Sequence, residues 1–503
     1  MLDNRPAATK KHNEHYRPDR LRDDDDDACI DPLRIQLLSA IGRAEIVEAA
    51  VPQSRSVKAL GAVNFFLADV RDGLGPFLGI FLIGQGWSTA TIGIVMTIGG
   101  ISGMLATTPL GALADATRAK RFMVALCASL VIVASLAILF IPSVAFVTAS
   151  QIATGIAGAA IGPALAGLTL GLVGQNGLTP QLGRNEAWNH GGNVFAAAGA
   201  GFFGYEFGLT AVFILMTIMA AGSIAAVLLI KPGDIDHRVA RGLENKNNHG
   251  NEVPSGFSVL WKSTPLLILA ATLMLFHFGN GAMLPLLGQQ VATQAERGSA
   301  DRRPDASVTQ ASGAADDAAT TLPPGQATPG APAAQPVRQH LSLETLLNDP
   351  VSYTAATVII AQLTMIPIAL LAASFAGRRG YFLLLVAALV ALPIRGLIAG
   401  LWPSPFALIP VQMLDGVGAG LLGVAVPGLV ARMLKGTGHI NAGLGAVMTV
   451  QGVGASLSPA IAGVIVASYG FTTAYLALAC FAVLGLILWL ACASTVAAAC
   501  KGN

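Results

Sequence analysis

LGAVNFFLADVRDGLGPFLGIFLIG, residues 60–84, is apolar at both ends and carries Asp69, Arg71 and Asp72 at its centre. A helix needs about 20 mostly apolar residues to cross a hydrocarbon core, and this stretch supplies them. Ionisable side chains at bilayer depth cost at least ~2–3 kcal/mol each, so they persist where they face a protein interior or a water-filled cavity. Two expectations follow. The chain folds within a bilayer, and a polar pathway runs through it.

The rest of the chain carries the first expectation. Hydrophobic residues make up 53% of its 503 residues and charged residues 12%, a balance foreign to a soluble domain of this size. About twelve stretches are long and apolar enough to span. They lie near 57–83, 88–110, 122–142, 146–173, 185–208, 210–230, 263–288, 351–375, 381–402, 405–431, 441–469 and 471–494, and are called spans 1 to 12 below. The fold class predicted is an all-α polytopic membrane protein. Lys and Arg crowd the tail before span 1 and then alternate loops, at Arg118, Lys120 and Arg121, at Arg184, from Lys231 to Lys262, at Arg378 and Arg379, and at Arg432 and Lys435. The opposite turns, near Gln85, Pro142, Phe207, Pro403 and Gly470, hold none. The basic loops and both termini are therefore expected in the cytoplasm of a cell whose inner membrane the protein crosses. The net charge of +2 reflects this topology and gives no sign of a nucleic-acid partner. The five cysteines fall in expected cytoplasmic tails or in spans, which leaves none for a periplasmic disulfide.

Internal repetition divides the chain. Gln151-Ile-Ala-Thr-Gly155 with Gly162 in span 4 matches Gln412-Met-Leu-Asp-Gly416 with Gly423 in span 10, about 261 residues on. Pro76 and Pro285 align spans 1 and 7 at an offset of about 209, so roughly fifty residues are inserted between spans 7 and 8. The organisation expected is a largely disordered cytoplasmic tail over 1–56, a six-helix half over 57–231, a cytoplasmic linker over 232–262, a second half over 263–495 and a short tail over 496–503. Within the second half, 291–347 reads as a disordered periplasmic loop, rich in Ala, Pro, Thr, Gln and Asp. His340 to Asn348 is expected to lead back in as a short amphipathic helix.

Two six-helix halves in parallel repetition resemble the major facilitator superfamily. The local resemblance lies in the loop after span 2, where Gly111-Ala-Leu113-Ala114-Asp115 followed by Arg118, Lys120 and Arg121 is similar to the superfamily signature Gly-x-Leu-Ala-Asp-Arg-x-Gly-Arg-Lys. The match is partial: Ala116 stands for the usual Arg and Arg118 for Gly. The resemblance implies that Gly111, Leu113, Asp115 and the basic residues latch the halves in an outward-open state. It also implies a substrate site near the midplane between the halves, exposed alternately to either side by rocking.

That geometry selects the candidate residues. Asp69 falls some 17 Å along the helix from Lys58, close to the midplane. On a helical wheel Asp69, Asp72, Gly73 and Pro76 share a face while Arg71 points elsewhere, so the two carboxylates are the candidates for a proton or a cationic group. The alternative is an ion-pair network that fixes packing. The aligned part of span 7 offers His277 and Asn280, an uncharged counterpart. Span 5 carries Glu186, Asn189, His190 and Asn193 on a polar stripe, either lining the cavity or bonding helix to helix; Glu186 and His190 stand four apart and are expected to meet. Arg395 and Asp415 lie at equal distance from the turn at 402–405, so a salt bridge is inferred, with Arg395 structural and Asp415 on a cavity-facing helix with Gln362, Gln412 and Gln451. No nucleotide loop, Ser/His/Asp set or metal cluster occurs, and no cofactor or enzymatic activity is expected.

The function read from the sequence is a secondary transporter, expected monomeric, that moves a small solute, coupled to protons through Asp69 and Asp72, with export preferred to uptake on family breadth. The other reading is a transport-inactive sensor or adaptor on the same scaffold.

Overall fold

The computed structural model describes residues 54–70, 75–241, 261–301, 342–434 and 440–500, with the side chains of Asp69 and Asp115 outside the description. Expectations about residues 1–53, 242–260 and 302–341, and about Arg71 and Asp72, therefore lie outside the described residues. Within them nine helices are long and apolar enough to cross a membrane. The difference from twelve is accounted for span by span. Spans 11 and 12 form one run, Ile440–Ala491, turned at Gly470, whose φ of 84° only glycine adopts readily. Spans 4 and 5 join likewise in Val144–Phe207 across Gly174, and the polar stripe of span 5 lowers its hydropathy. Span 1 is described in two parts, Arg55–Val70 and Gly75–Gly84, with residues 71–74 outside the description, so neither part alone reaches the length of a span.

Gly75 has a φ of +47°, outside the right-handed helix. The wheel that placed Pro76 on one face with Asp69 and Asp72 assumed an unbroken helix, so it does not extend past this residue. Span 7 is divided too, into Thr264–Asn280 and Met283–Asp301 with a turn at 281–282. Its second helix runs on to Asp301, so residues 291–301, expected in a disordered loop, are helical. Ala292 is buried there and the Thr293 hydroxyl donates to the Gln289 carbonyl at 2.8 Å. Leu343–Asn348 is a short helix capped by Ser342, and the helix Ala493–Cys500 runs into the segment expected as a tail over 496–503.

Each half has its own apolar core, and that of the first half takes in Ala292, Val351 and Ala355 from the second. These three lie near the face whose turns carry no Lys or Arg. Spans 2 and 11 meet there backbone to backbone. A Cβ on Gly93 would overlap the Pro459 carbonyl, and one on Gly463 the Thr89 carbonyl. The Thr89 hydroxyl donates to the Gly463 carbonyl at 3.3 Å, and the Ala460 N–H, next to Pro459, donates to the Thr97 hydroxyl at 3.0 Å. Spans 5 and 8 close the same face, where Gly204 packs under Val351. Toward the basic-loop face a cavity of about 570 Å³ lies between spans 2, 4 and 11, lined by Gly103, Met104, Thr107, Gly158, Gly445 and Met448 among others.

A strap ties down the basic-loop face of the first half. Residues 231–241 form two 3-10 turns, Pro232–Asp234 and Val239–Arg241, that bury Ile235, Val239 and Ala240. The Asp236 N–H donates to the Gly171 carbonyl at 2.8 Å, and Ser56 links the start of span 1 to the strap by donating to Asp234 and accepting from the Lys231 N–H. The Asp236 carboxylate accepts the Arg238 and Val239 N–H groups at 2.8 and 3.1 Å. These bonds, that from Val239 foremost, hold its pKa below the usual carboxylate value.

Two outcomes are expected. A Gly93→Val substitution must push spans 2 and 11 apart at a cost of about 1–3 kcal/mol, lowering the thermal midpoint and exposing a cysteine at position 460 to an impermeant thiol reagent; an unchanged midpoint and an unreactive cysteine would refute the contact. Because the folded pKa of Asp236 is depressed, its contribution is complete above the unfolded carboxylate value near 3.9 and is lost as pH falls through the folded value. Proteolysis after residue 238 should therefore accelerate below about pH 4 in the wild type, and be fast at every pH in Asp236→Ala.

Candidate functional site

The break in span 7 places its last turn at the wall of a cavity. Thr264–Asn280 ends where the Gly281 N–H closes on the His277 carbonyl at 2.8 Å, and the next N–H, of Ala282, is taken by the Ser458 hydroxyl of span 11 at 2.9 Å. His277 and Asn280 thus come to lie beside Arg395 of span 9 and Asp415 of span 10. With Phe276, Gln451 and mostly apolar neighbours they line a cavity of about 310 Å³ within the second half. Arg395 Nη1 donates to Asp415 Oδ1 at 2.6 Å and to Asn280 Oδ1 at 2.5 Å. The inferred ion pair is formed. Arg395 is 1% exposed and the Asp415 side chain 21%, so the carboxylate is the member that faces the open volume.

The guanidinium is incompletely matched. Among the described residues its Nε and Nη2 have no hydrogen-bond partner, and the same holds for both amide atoms of buried Gln412, one helical turn from Asp415. The His277 Nδ1 lies 2.9 Å from the Leu273 carbonyl, which can only accept, so Nδ1 carries the proton and Nε2 is left for another partner. The uncharged residues of span 7 are brought against charged ones by this arrangement. Span 9 brings Arg395 against Asn280 and makes the region ionic. Nothing in span 7 alone signalled it.

In the first half the polar stripe of span 5 splits between two roles. Asn185 is buried, donates to the Thr169 hydroxyl at 3.0 Å and accepts from the Gln181 amide at 2.9 Å. Asn185, exposed Glu186 and Asn189 line a smaller cavity of about 130 Å³ with Asn64 and Thr169. His190 turns away from Glu186, against the expected i,i+4 pairing, because Gln362 of span 8 offers an acceptor 2.8 Å from its Nδ1. The bond crosses between the halves. Asn193 is half-buried further along the helix, where Gly192 lies against the Phe65 carbonyl. Sequence reading missed Gln181 and Thr169; the spacing Gln181 to Asn185 was the available signal.

The signature loop is built on helix ends. Lys120 is buried and donates through Nζ to the Ala114 and Thr117 carbonyls at 2.6 and 2.9 Å, while Arg121 donates to those of Val227 and Leu228 at 3.1 and 2.7 Å at the end of span 6. Cations there offset the partial negative charge of unpaired helix-terminal carbonyls. Arg118 and Leu113 are exposed, and Gly111 lies 3.9 Å, measured from a would-be Cβ, from Pro163.

Comparison with known proteins adds to this geometry. The Major Facilitator Superfamily profile matches residues 60–295. Two uncharacterized MFS-type transporters of Mycobacterium tuberculosis, Rv2456c and MT2531, are each 37% identical over 88% of this chain and 93% of their own. A variant of the nucleoside transporter NupG superposes with a TM-score of 0.65 at 15% identity, covering 87% of this chain and 99% of that one. A bacterial homolog of the human lysosomal transporter Spinster, solved inward-facing and unoccupied, gives 0.59 at 13% identity, over 90% and 99%. At such identity the two structures speak for the fold alone.

An Asn280→Ala substitution removes one of the two acceptors of Arg395 Nη1 inside a low-dielectric region. A loss of about 1–3 kcal/mol is expected, read as a lower thermal midpoint of the purified protein; Asn280→Asp, which restores an acceptor, should recover part of it.

Proposed function

Since the chain belongs to the major facilitator superfamily of membrane transporters, we propose that it is a proton-coupled secondary transporter that moves a small solute by alternating access through the volume between its halves. The observation that carries this reading is the ionic cavity wall, Arg395, Asp415 and Asn280, embedded among membrane spans. A charged pair kept at that depth for packing alone would be replaceable at little cost by apolar side chains. Asp415 faces open volume and is the carboxylate best placed to exchange a proton. Asp69 and Asp72 on span 1 are the further candidates, with Arg71 their neighbour.

Orientation follows the distribution of Lys and Arg, with both termini on the cytoplasmic side of the inner membrane. On that assignment the closed face is periplasmic and the cavities open toward the cytoplasm, the state in which an exporter loads. An importer unloads from the same state, so export is preferred on family breadth alone. A transport-inactive sensor has no need of an ion pair in a cavity wall and is the weaker reading. The signature loop, with Lys120 and Arg121 seated on helix ends of the first half, serves as the latch that reforms when the halves rock.

Proteoliposomes carrying a pH gradient and a panel of solutes test the proposal. The wild type is expected to move at least one solute in step with a proton flux, and Asp415→Asn, Asp69→Asn or Asp72→Asn to lower the coupled rate by at least about tenfold for the group that carries the proton, with gradient-independent exchange retained. Solute movement that ignores the gradient in the wild type would remove proton coupling. Movement of no solute and no proton would remove the transporter reading.

A further inference from the structure

Resting on the transporter reading, we infer that the second-half cavity takes the acid group of a small amphipathic organic acid, received by the Nε–Nη2 edge of Arg395. Three observations lead there. The guanidinium has five N–H donors in a fixed fork, and the contacts to Asp415 and Asn280 both use Nη1. The adjacent Nε and Nη2, which present the parallel pair of N–H groups that matches a carboxylate bidentately, are without a partner among the described residues, in a side chain 1% exposed. Leaving a buried charged donor unmet is costly, so the site is arranged for an acceptor that arrives from outside. The rest of the wall sets the body of the ligand. Phe276, Leu392, Leu414, Leu422, Val426 and Met448 make the cavity apolar away from the ion pair, and Met448 also lines the larger cavity between spans 2, 4 and 11.

Charge balance then defines the bound state. Arg395 and Asp415 together are neutral. Adding an anion alone would leave a net negative charge in low dielectric, whereas an anion accompanied by a proton on Asp415 keeps the site neutral. Asp415 then donates rather than competes, and Arg395 is free to turn its buried Nε–Nη2 edge toward the cavity and the ligand. The groups that bear on this equilibrium are His277 from span 7, Arg395 from span 9 and Tyr475 from span 12, whose hydroxyl donates to Gln290 at 3.0 Å, with uncharged Gln451 from span 11. The side chains of Asp69, Arg71 and Asp72 are outside the described set. The proton and the organic anion therefore bind together, and either lowers the dissociation constant of the other by the same factor.

Binding of 4-phenylbutyrate, 4-phenylbutyramide and 4-phenylbutylamine to the full-length protein in nanodiscs separates head-group chemistry from the body. Wild type is expected to bind the carboxylate at least about tenfold more tightly than the amide or amine, to take up close to one proton per ligand in weakly buffered solution, and to bind more tightly as pH falls from 8 to 6. Arg395→Gln should abolish the preference and Arg395→Lys retain part of it. The double variant R395Q/D415N, which leaves no unpaired charge, guards against misfolding and should bind all three alike. Equal binding of carboxylate and amide by the wild type, a preference that survives R395Q/D415N, or proton release on binding would overturn the inference. If the amine or amide moves in the proteoliposome assay and the carboxylate does not, the substrate class fails while the transporter reading stands.

Discussion

No hydrophobic force draws one apolar helix to another inside a bilayer, so the two halves hold together where backbones approach closely enough for dispersion and hydrogen bonds. Spans 2 and 11 meet this condition over one stretch, where Gly93 and Gly463 let the Pro459 and Thr89 carbonyls sit against a bare Cα. Helices are stiff at this length, and contact at one end leaves room at the other. The cavity between spans 2, 4 and 11, and the second-half cavity that shares Met448 with it, lie on the far side of that contact. Closure of one face and access from the other are thus consequences of where the glycines fall.

The ionic wall obeys a second constraint. Arg395 is nearly inaccessible, and a lone guanidinium there would be prohibitive. Three things lower its cost: the Asp415 carboxylate, the Asn280 carbonyl oxygen, and the position of Asn280 in the final turn of Thr264–Asn280, where the helix end carries partial negative charge. The interruption of span 7 is needed for the third. A continuous helix would have its carbonyls paired within the ladder and present no such end to the guanidinium.

The fold was legible because hydropathy, charge alternation and repeats each report on the bilayer, and a bilayer leaves a helical chain few choices. The ion pair was legible for the same reason, since residues at equal distance from one tight turn between antiparallel helices share a depth. What escaped was lateral. Sequence distance fixes how deep a side chain sits but not which neighbouring helix it meets, so Asn280 was read without Arg395, and His190 was assigned to Glu186 on its own helix when Gln362 of span 8 takes it. Breaks escaped as well: Gly75 was read as part of a continuous helix, although glycine is the residue that permits a positive φ. The strap over 231–241 was read as linker because its three buried apolar residues form no periodic pattern.

The two halves share a plan and differ in the charge of their polar groups, an ion pair lining the cavity of the second half and amides and a hydroxyl, with exposed Glu186, that of the first. In the first half Gln181, Asn185 and Thr169 pass hydrogen bonds in sequence, and the buried lysine of the signature loop donates to helix-terminal carbonyls. The amide–hydroxyl chain carries no net charge and its amide donors are met locally, while Gln181 Oε1 is without a partner among the described residues. The described part of the second half instead holds an ion pair whose cation keeps two donor atoms unmet, and the buried amide of Gln412 is unmatched as well. Unmet groups raise the energy of the empty state, and any ligand or proton that meets them recovers that energy on binding. Under the proposed function, the ion pair of the second half with its unmet donors is where a bound solute would recover free energy.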